Sequence, residues 1–276
     1  MNKLIIISFL MISLVAGGQN FKNVKVTYEK IGDGLYDFYA ENPNFYPMQI
    51  SLDFEKFENM SADCKLPFIT TLKHGKNYLF KVKRTLLDIP GAFEHKFQTR
   101  LGAYPVNYDP NTVYSLPIGK GKETSIFNFD LTKSDDPSRI LWAFSLNKGD
   151  TVFCCREGVV CMKTETTYQN GYRAGENSIT ILHSDKSFAK YEVFSDSMVF
   201  VGVGDSVKVG TAMGIAGGDN YQVGTHVRFS VYYADARIDS IINNKIRNYY
   251  KWVQPLFKTG DSEPFNLKQG DFYINN

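Results

Sequence analysis

The sequence predicts an all-β protein: an N-terminal immunoglobulin-like β-sandwich followed by a second β-sheet domain. Three observations lead there. A chain of 276 residues holds two modest domains. Aromatic residues make up 14% of it, led by 21 Phe and 17 Tyr, which suits pleated, half-buried strands. The apolar residues recur with period two, between turn formers rather than along helical stripes.

The N-terminus stands apart from the fold. Lys3, the apolar run Leu4 to Ala16 and the small residues Ala16-Gly17-Gly18 have the layout of a secretory signal peptide, residues 1–18. The run is too short to span a bilayer, no Cys stands at the cleavage site, and no other segment reaches transmembrane length. Cleavage removes Lys3 and leaves 30 basic against 29 acidic side chains, a net charge of +1. Such a balance argues against nucleic acid as a partner. The expected product is exported to the periplasm or the exterior of a bacterial envelope.

From residue 19 to about 122 short strands alternate with turns. Lys25–Lys30, Met48–Phe54 and Tyr78–Val82 each show one apolar face. Asn42-Pro43-Asn44, Lys73-His74-Gly75-Lys76 and Asp109-Pro110-Asn111 are turn sequences. His74, in a turn, and His95, among charged neighbours, read as solvated. Gly119 to Lys122 reads as a linker, and residues 123–240 form the second domain. Its expected strands include Ser178–His183, Ala189–Phe194, Met198–Val203 and His226–Tyr233. Residues 241–276 close the structure, with strands over Trp252–Phe257 and Asn266–Tyr273. Ile238–Tyr250 is the one segment with a helical period. Among the cysteines, Cys64, Cys154, Cys155 and Cys161, the spacing is no paired zinc motif; buried free thiols and one disulfide both fit. The vicinal Cys154 and Cys155 are expected on opposite faces of a strand.

Residues 149–233 carry a series of motifs. Gly149-Asp150-Thr151-Val152 with Glu157-Gly158-Val159-Val160 forms a hairpin, and Asn177 to Asp185 a strand and turn. Gly204-Asp205-Ser206-Val207-Lys208-Val209-Gly210, Gly214-Ile215-Ala216-Gly217 and Gly224-Thr225-His226-Val227-Arg228-Phe229 follow. In this order they resemble the motifs of the lysostaphin-type (LytM-like) zinc endopeptidases, peptidase family M twenty-three. The resemblance implies that the second domain has the lysostaphin-type (duplicated hybrid motif) β-sheet fold. It also implies a zinc held by a His, an Asp and the last His of an H-x-H strand, with two further His residues moving protons.

Carried over residue by residue, those positions are altered. The Asp position falls on Ala143, the upstream His at four-residue spacing on Arg139, and the last His of H-x-H on Arg228. No His occurs between His95 and His183, and Tyr191-Glu192-Val193 places Val193 where an auxiliary His belongs. Only His226 remains, as a remnant of the catalytic set. A guanidinium has no lone pair for a metal and stays protonated. No metal or other cofactor is therefore expected here, although active relatives take zinc. Strand alternation puts His226, Arg228, Ser230 and Tyr232 on one face, so that Arg228, Arg139, Ser230 and Tyr232 are the cleft candidates. His183 precedes the polar turn Ser184-Asp185-Lys186 and reads as a surface residue. Asp135 and Asp136 read as a solvated turn before Pro137, and Gly202-Val203-Gly204 and Gly217-Gly218 as turns without the helix of a phosphate loop.

The expectation is a non-catalytic, exported envelope protein that binds peptidoglycan peptide or regulates a cell-wall hydrolase. The competing expectations are an active metalloendopeptidase with unorthodox ligands and a purely structural or adhesion β-protein.

Overall fold

The structure, a computed structural model, describes residues 23–128, 138–169, 172–174, 176–242 and 249–276. The signal-like segment and Asp135-Asp136-Pro137 lie outside them. The backbone divides into two compact units: residues up to Pro105 with Ala234–Tyr249, and Val106–Tyr233 with Tyr250–Asn276.

The first unit is built from β1 (Lys25–Gly32), β2 (Leu35–Asn42), β3 (Met48–Glu58), β4 (Met60–Ala62), β5 (Phe68–Leu72), β6 (Gly75–Arg84) and β7 (Ala92–Leu101). One sheet runs β1-β2-β6-β4 and the other β5-β3-β7, with antiparallel pairing throughout. Alternation drives the two together. Phe38 and Ala40 of β2, and Ile50 and Leu52 of β3, are fully buried while their neighbours along the strand face outward. Phe38 stacks on Phe80 at 5.1 Å, and both meet rings of the opposite sheet: Phe38–Phe54 at 5.6 Å and Phe68–Phe80 at 5.1 Å. This is a sandwich of two sheets. Its strand order differs from the immunoglobulin constant type, which in the same numbering pairs β2 with β5 and β3 with β6. Here β6 joins β2, and β5 joins β3.

The chain crosses between the sheets at Asn59, between β3 and β4, with φ at 48°. Its side chain clamps the following loop: Nδ2 donates to the carbonyls of Leu86 (2.8 Å) and Ile89 (2.6 Å), and Oδ1 accepts the Leu86 amide at 2.8 Å. Asn59→Ala is expected to cost about 2 kcal/mol, from left-handed strain plus the lost bonds. Asn59→Gly removes the strain but not the lost bonds and should recover part of it; urea denaturation of the two variants checks both. His95 was expected in solvent, yet it is half-buried on β7 with its ring 5.7 Å from that of Phe38, and burial lowers its pKa. The inward side of an alternating strand overrode its charged sequence neighbours.

The second unit contains β8 (Val113–Tyr114), β9 (Glu123–Asn128), β10 (Trp142–Ser145), β11 (Thr151–Phe153), β12 (Gly158–Thr164), β13 (Thr167–Gln169) and β14 (Tyr172–Ala174). It continues with β15 (Ser178–Leu182), β16 (Phe188–Glu192), β17 (Phe194–Val199), β18 (Ser206–Val207), β19 (Ala212–Ala216) and β20 (His226–Ala234). Last come β21 (Tyr250–Val253), β22 (Leu256–Phe257), β23 (Phe265–Asn266) and β24 (Phe272–Ile274). A nine-stranded sheet of order β18-β12-β15-β16-β20-β10-β9-β24, with β21 beside β20, is its spine. One face is apolar: Phe229 lies 4.9 Å from Tyr191 and 5.8 Å from Phe257, and both pack with Phe144, Ile179 and Ile181 in the core.

Two expected strands are shorter than their apolar runs. β17 ends at Val199, and Val203-Gly204 form a turn; the span Asn266–Tyr273 holds a turn at Gln269-Gly270 between β23 and β24. In the first unit, α1 (Ile238–Ile242) begins where the helical period begins. All four cysteines are free thiols; Cys154, Cys155 and Cys161 are buried, and the vicinal pair follows β11 rather than lying within it. The Cys161 thiol donates to the Thr180 carbonyl at 3.3 Å.

Candidate functional site

The second face of the spine sheet is polar, and strand register assembles it. Arg228 on β20 lies between Ala143 on β10 and Glu192 on β16, and Glu192 in turn faces Ser178 on β15. Residues directly opposite in antiparallel strands share a face, so these four side chains form one row. His226 and Ser145 form the row beside it on one side, and Ser230, Lys190 and Thr180 the row on the other. The alternation of β20 is as expected: Val227, Phe229 and Val231 enter the core on the reverse face.

His226 is fully buried. Its Nδ1 lies 2.7 Å from the Gly224 carbonyl oxygen, which only accepts, so Nδ1 carries the proton and Nε2 a lone pair. Arg228 Nε donates to that lone pair at 3.2 Å. Burial lowers the His226 pKa, and Arg228 adds to this against the pull of the Gly224 carbonyl and Glu176. The imidazole is thus neutral, and the atom that a catalytic base needs already accepts a hydrogen bond. Its ring also meets Phe127 at 5.5 Å and Tyr221 at 5.7 Å. Gly218 permits this packing. Its φ is +86°, and a Cβ there would stand 3.1 Å from His226 Nδ1.

Arg228 is partly exposed. Its Nη1 lies 4.0 Å from Glu176 Oε1, and its guanidinium carbon lies 5.8 Å from the centre of the Tyr221 ring. The Tyr221 hydroxyl donates to the same Glu176 oxygen. Arg139 reaches the row from the other side: its guanidinium donates to Glu192 and lies 5.3 Å from the Trp252 ring centre. Lys190 also pairs with Glu192, at 2.7 Å. Burial would raise the Glu192 pKa, but the two cations outweigh it and hold the carboxyl below its ordinary range.

Of the four cleft candidates, Arg228 and Arg139 line the polar face with part of each side chain exposed. Ser230 and Tyr232 do not open to solvent. Ser230 is 1% exposed, and Tyr232 is held in an aromatic layer with Phe188 (5.2 Å), Tyr250 (5.3 Å) and Trp252 (4.8 Å). The sequence reading missed Glu192, Glu176 and Tyr221. A signal existed for Glu192, which shares the strand face of Lys190. Nothing local marks the other two, which meet Arg228 across the fold.

Zinc does not fit these residues. The Asp and last-His positions face each other across β10 and β20 as a methyl group and a guanidinium, Ala143 and Arg228. Neither donates a lone pair, and the fixed charge of Arg228 repels a divalent cation. Among the described residues no three His, Cys, Asp or Glu side chains come together as a metal-binding group. Val193, at the auxiliary His position, is buried in the core with φ at 75°, rare for a β-branched residue.

His183 corrects a further expectation. It is buried rather than on the surface, with Nδ1 donating to the Glu157 carbonyl at 2.7 Å and its ring edge-on to Tyr114 at 5.8 Å. The loop at Arg156-Glu157 covers it: Arg156 pairs with Asp185 at 2.8 Å and donates to Tyr114 Oη and Ser187 Oγ, both at 3.3 Å.

The second unit is thus a spine sheet with one apolar and one polar face, whose polar face carries His226 and Arg228 on one strand. Residues 142–240 match the model of peptidase family M23, and this part of the chain is an M23 peptidase-like domain. No curated protein matches the chain. Among solved structures, the antimicrobial peptidase lysostaphin of Staphylococcus simulans is 22% identical, over 44% of this chain and 48% of that one, with a TM-score of 0.30. This chain thus spans about half of lysostaphin's length. Csd3 of Helicobacter pylori is 12% identical over 84% of this chain and 70% of that one, with a TM-score of 0.31. A zinc-containing peptidase of Vibrio cholerae is 13% identical over 77% and 79%, with a TM-score of 0.34.

Proposed function

We propose that this protein is an exported, non-catalytic envelope protein whose peptidase-like domain holds a peptidoglycan peptide without cleaving it. In that role it guides or restrains a true cell-wall hydrolase. The observation that carries the reading is the facing pair Ala143 and Arg228, which puts a methyl group and a fixed positive charge where the family's metal ligands belong. His226 supports it, since the Nε2 lone pair that a catalytic base would use already accepts a hydrogen bond from Arg228. What such a face offers a peptide is a cation suited to a carboxylate, through the fork geometry of arginine. Export is the part of the proposal carried by the signal-like layout of residues 1–18.

Two measurements on one preparation test it. Metal analysis together with peptidoglycan turnover is expected to give neither stoichiometric zinc nor cleavage; zinc lost together with activity on chelation would overturn the proposal. Arg228→Ala is expected to weaken binding of a muropeptide by about tenfold or more, the worth of hydrogen bonds between charged groups. Unchanged affinity removes the cleft from the account.

A further inference from the structure

Glu176 is the charged group of the site that the family motifs leave unexplained. It directly precedes Asn177, a buried residue anchored to two other segments. Asn177 Oδ1 accepts the Thr166 amide at 2.6 Å, and Nδ2 donates to the Phe194 carbonyl at 3.1 Å and to Asp196 at 2.7 Å. The backbone that carries Glu176 is therefore fixed beside β20. Tyr221 comes from a separate, equally ordered loop. Its amide donates to the Gly218 carbonyl at 2.8 Å, its carbonyl accepts the Gly224 amide at 2.9 Å, and Asp219 pairs with Lys148 at 3.0 Å. The two segments place one carboxylate oxygen between the Tyr221 hydroxyl and the Arg228 guanidinium.

We propose that Glu176 is an internal stand-in for the ligand. Arg228 and the Tyr221 hydroxyl form a carboxylate-binding site, and an acidic peptide enters by exchanging its own carboxylate for that of Glu176. The inference rests on the cleft reading above. It adds the ligand group, a second recognition residue and a built-in competitor. The energetics favour such an exchange. Arg228 keeps an anionic partner throughout, so its own charge is never left uncompensated. Glu176 is 23% exposed and Arg228 21%, so the displaced carboxylate has a short path to water. At 4.0 Å the ion pair stands at the outer limit of contact, and the hydrogen bond that Glu176 accepts from Tyr221 is one the incoming carboxylate can accept in its place. A neutral ligand has no such exchange to offer, because it would separate Glu176 from Arg228 without replacing the charge. The site therefore selects carboxylates over amides.

The test is calorimetry with a muropeptide stem peptide bearing a free C-terminal carboxylate, against the same peptide amidated. Glu176→Gln keeps the side chain's length and an acceptor for Tyr221 but removes the competing charge. It is expected to bind the free acid about tenfold tighter than the unsubstituted protein, as removal of a self-occupied state requires. The amidated peptide should show no such gain. Tyr221→Phe in the Glu176→Gln background should lose several-fold of the affinity gained, with thermal unfolding confirming that both variants fold. If Arg228→Ala abolishes binding while Glu176→Gln leaves it equal or weaker, the exchange is wrong and the cleft reading survives. If neither substitution alters binding, or neither protein binds, both fall.

Discussion

Arg156→Ala is expected to lower folding stability by about 3 kcal/mol, the low end for removing one partner of a buried ion pair. The pair is enclosed: both side chains are 18% exposed, at an N–O distance of 2.8 Å. Burial alone would raise the Asp185 pKa, but the Ser187 hydroxyl and amide, together with Arg156, hold it below its ordinary value. Without the guanidinium, Asp185 keeps only its two bonds to Ser187, at 2.7 and 2.9 Å. Tyr114 Oη and Ser187 Oγ lose their shared donor as well. Arg156→Lys keeps the charge but not the fork, since a single ammonium cannot serve Asp185, Tyr114 and Ser187 with the same geometry. It should recover roughly half of the loss, on this count of partners. Adding Asp185→Asn to Arg156→Ala should also recover stability by removing the stranded charge. Urea midpoints for the set decide the matter, and a loss below about 1 kcal/mol for Arg156→Ala would show the pair to be only a surface contact.

Stability is also expected to fall by about 3 kcal/mol through His183 as the pH drops from about 6.5 to 4. Burial is the main cause of its low pKa of about 4; the Glu157 carbonyl and Asp185 pull the other way, and Arg156 adds repulsion. Its Nε2 is buried and has no hydrogen-bond partner among the described residues. The unfolded chain takes up the proton near 6.5, while the folded chain resists it until about 4. His183 therefore contributes fully above the unfolded value, and the contribution is lost as the pH falls toward the folded one. The Asp185 carboxyl is lowered from 3.8, so its own window lies below that of His183. His95 and His226 also have lowered values, so total stability alone does not isolate the effect. The difference between the protein and His183→Gln does. It should shrink steadily from pH 7 to pH 4, and a constant difference would remove His183 as its source.

Much of the site can be read from the residues in order. Strand alternation needs only period two, and it placed His226 and Arg228 on the face opposite Val227 and Phe229. Motif spacing singled out Ala143 and Arg228, and strand register sets the two opposite each other. Ser230 and Tyr232 share the predicted face, yet both lie buried, Tyr232 among the rings of Phe188, Tyr250 and Trp252 from other strands. Exposure is not a property of a strand alone.

Local sequence thus determined the β class and the polar and apolar sides of the strands. Each of these follows from backbone periodicity or from the chemistry of a single side chain. Tertiary structure alone decided what surrounds Arg228. Glu192 arrives on β16, Glu176 ahead of β15 and Tyr221 on the loop before β20, brought together by sheet register and loop packing. It also decided that His183 is interior, since a polar turn such as Ser184-Asp185-Lys186 looks solvated until the Arg156 loop closes over it. Register and burial depend on segments far apart in the chain, and no reading of neighbours along it contains them.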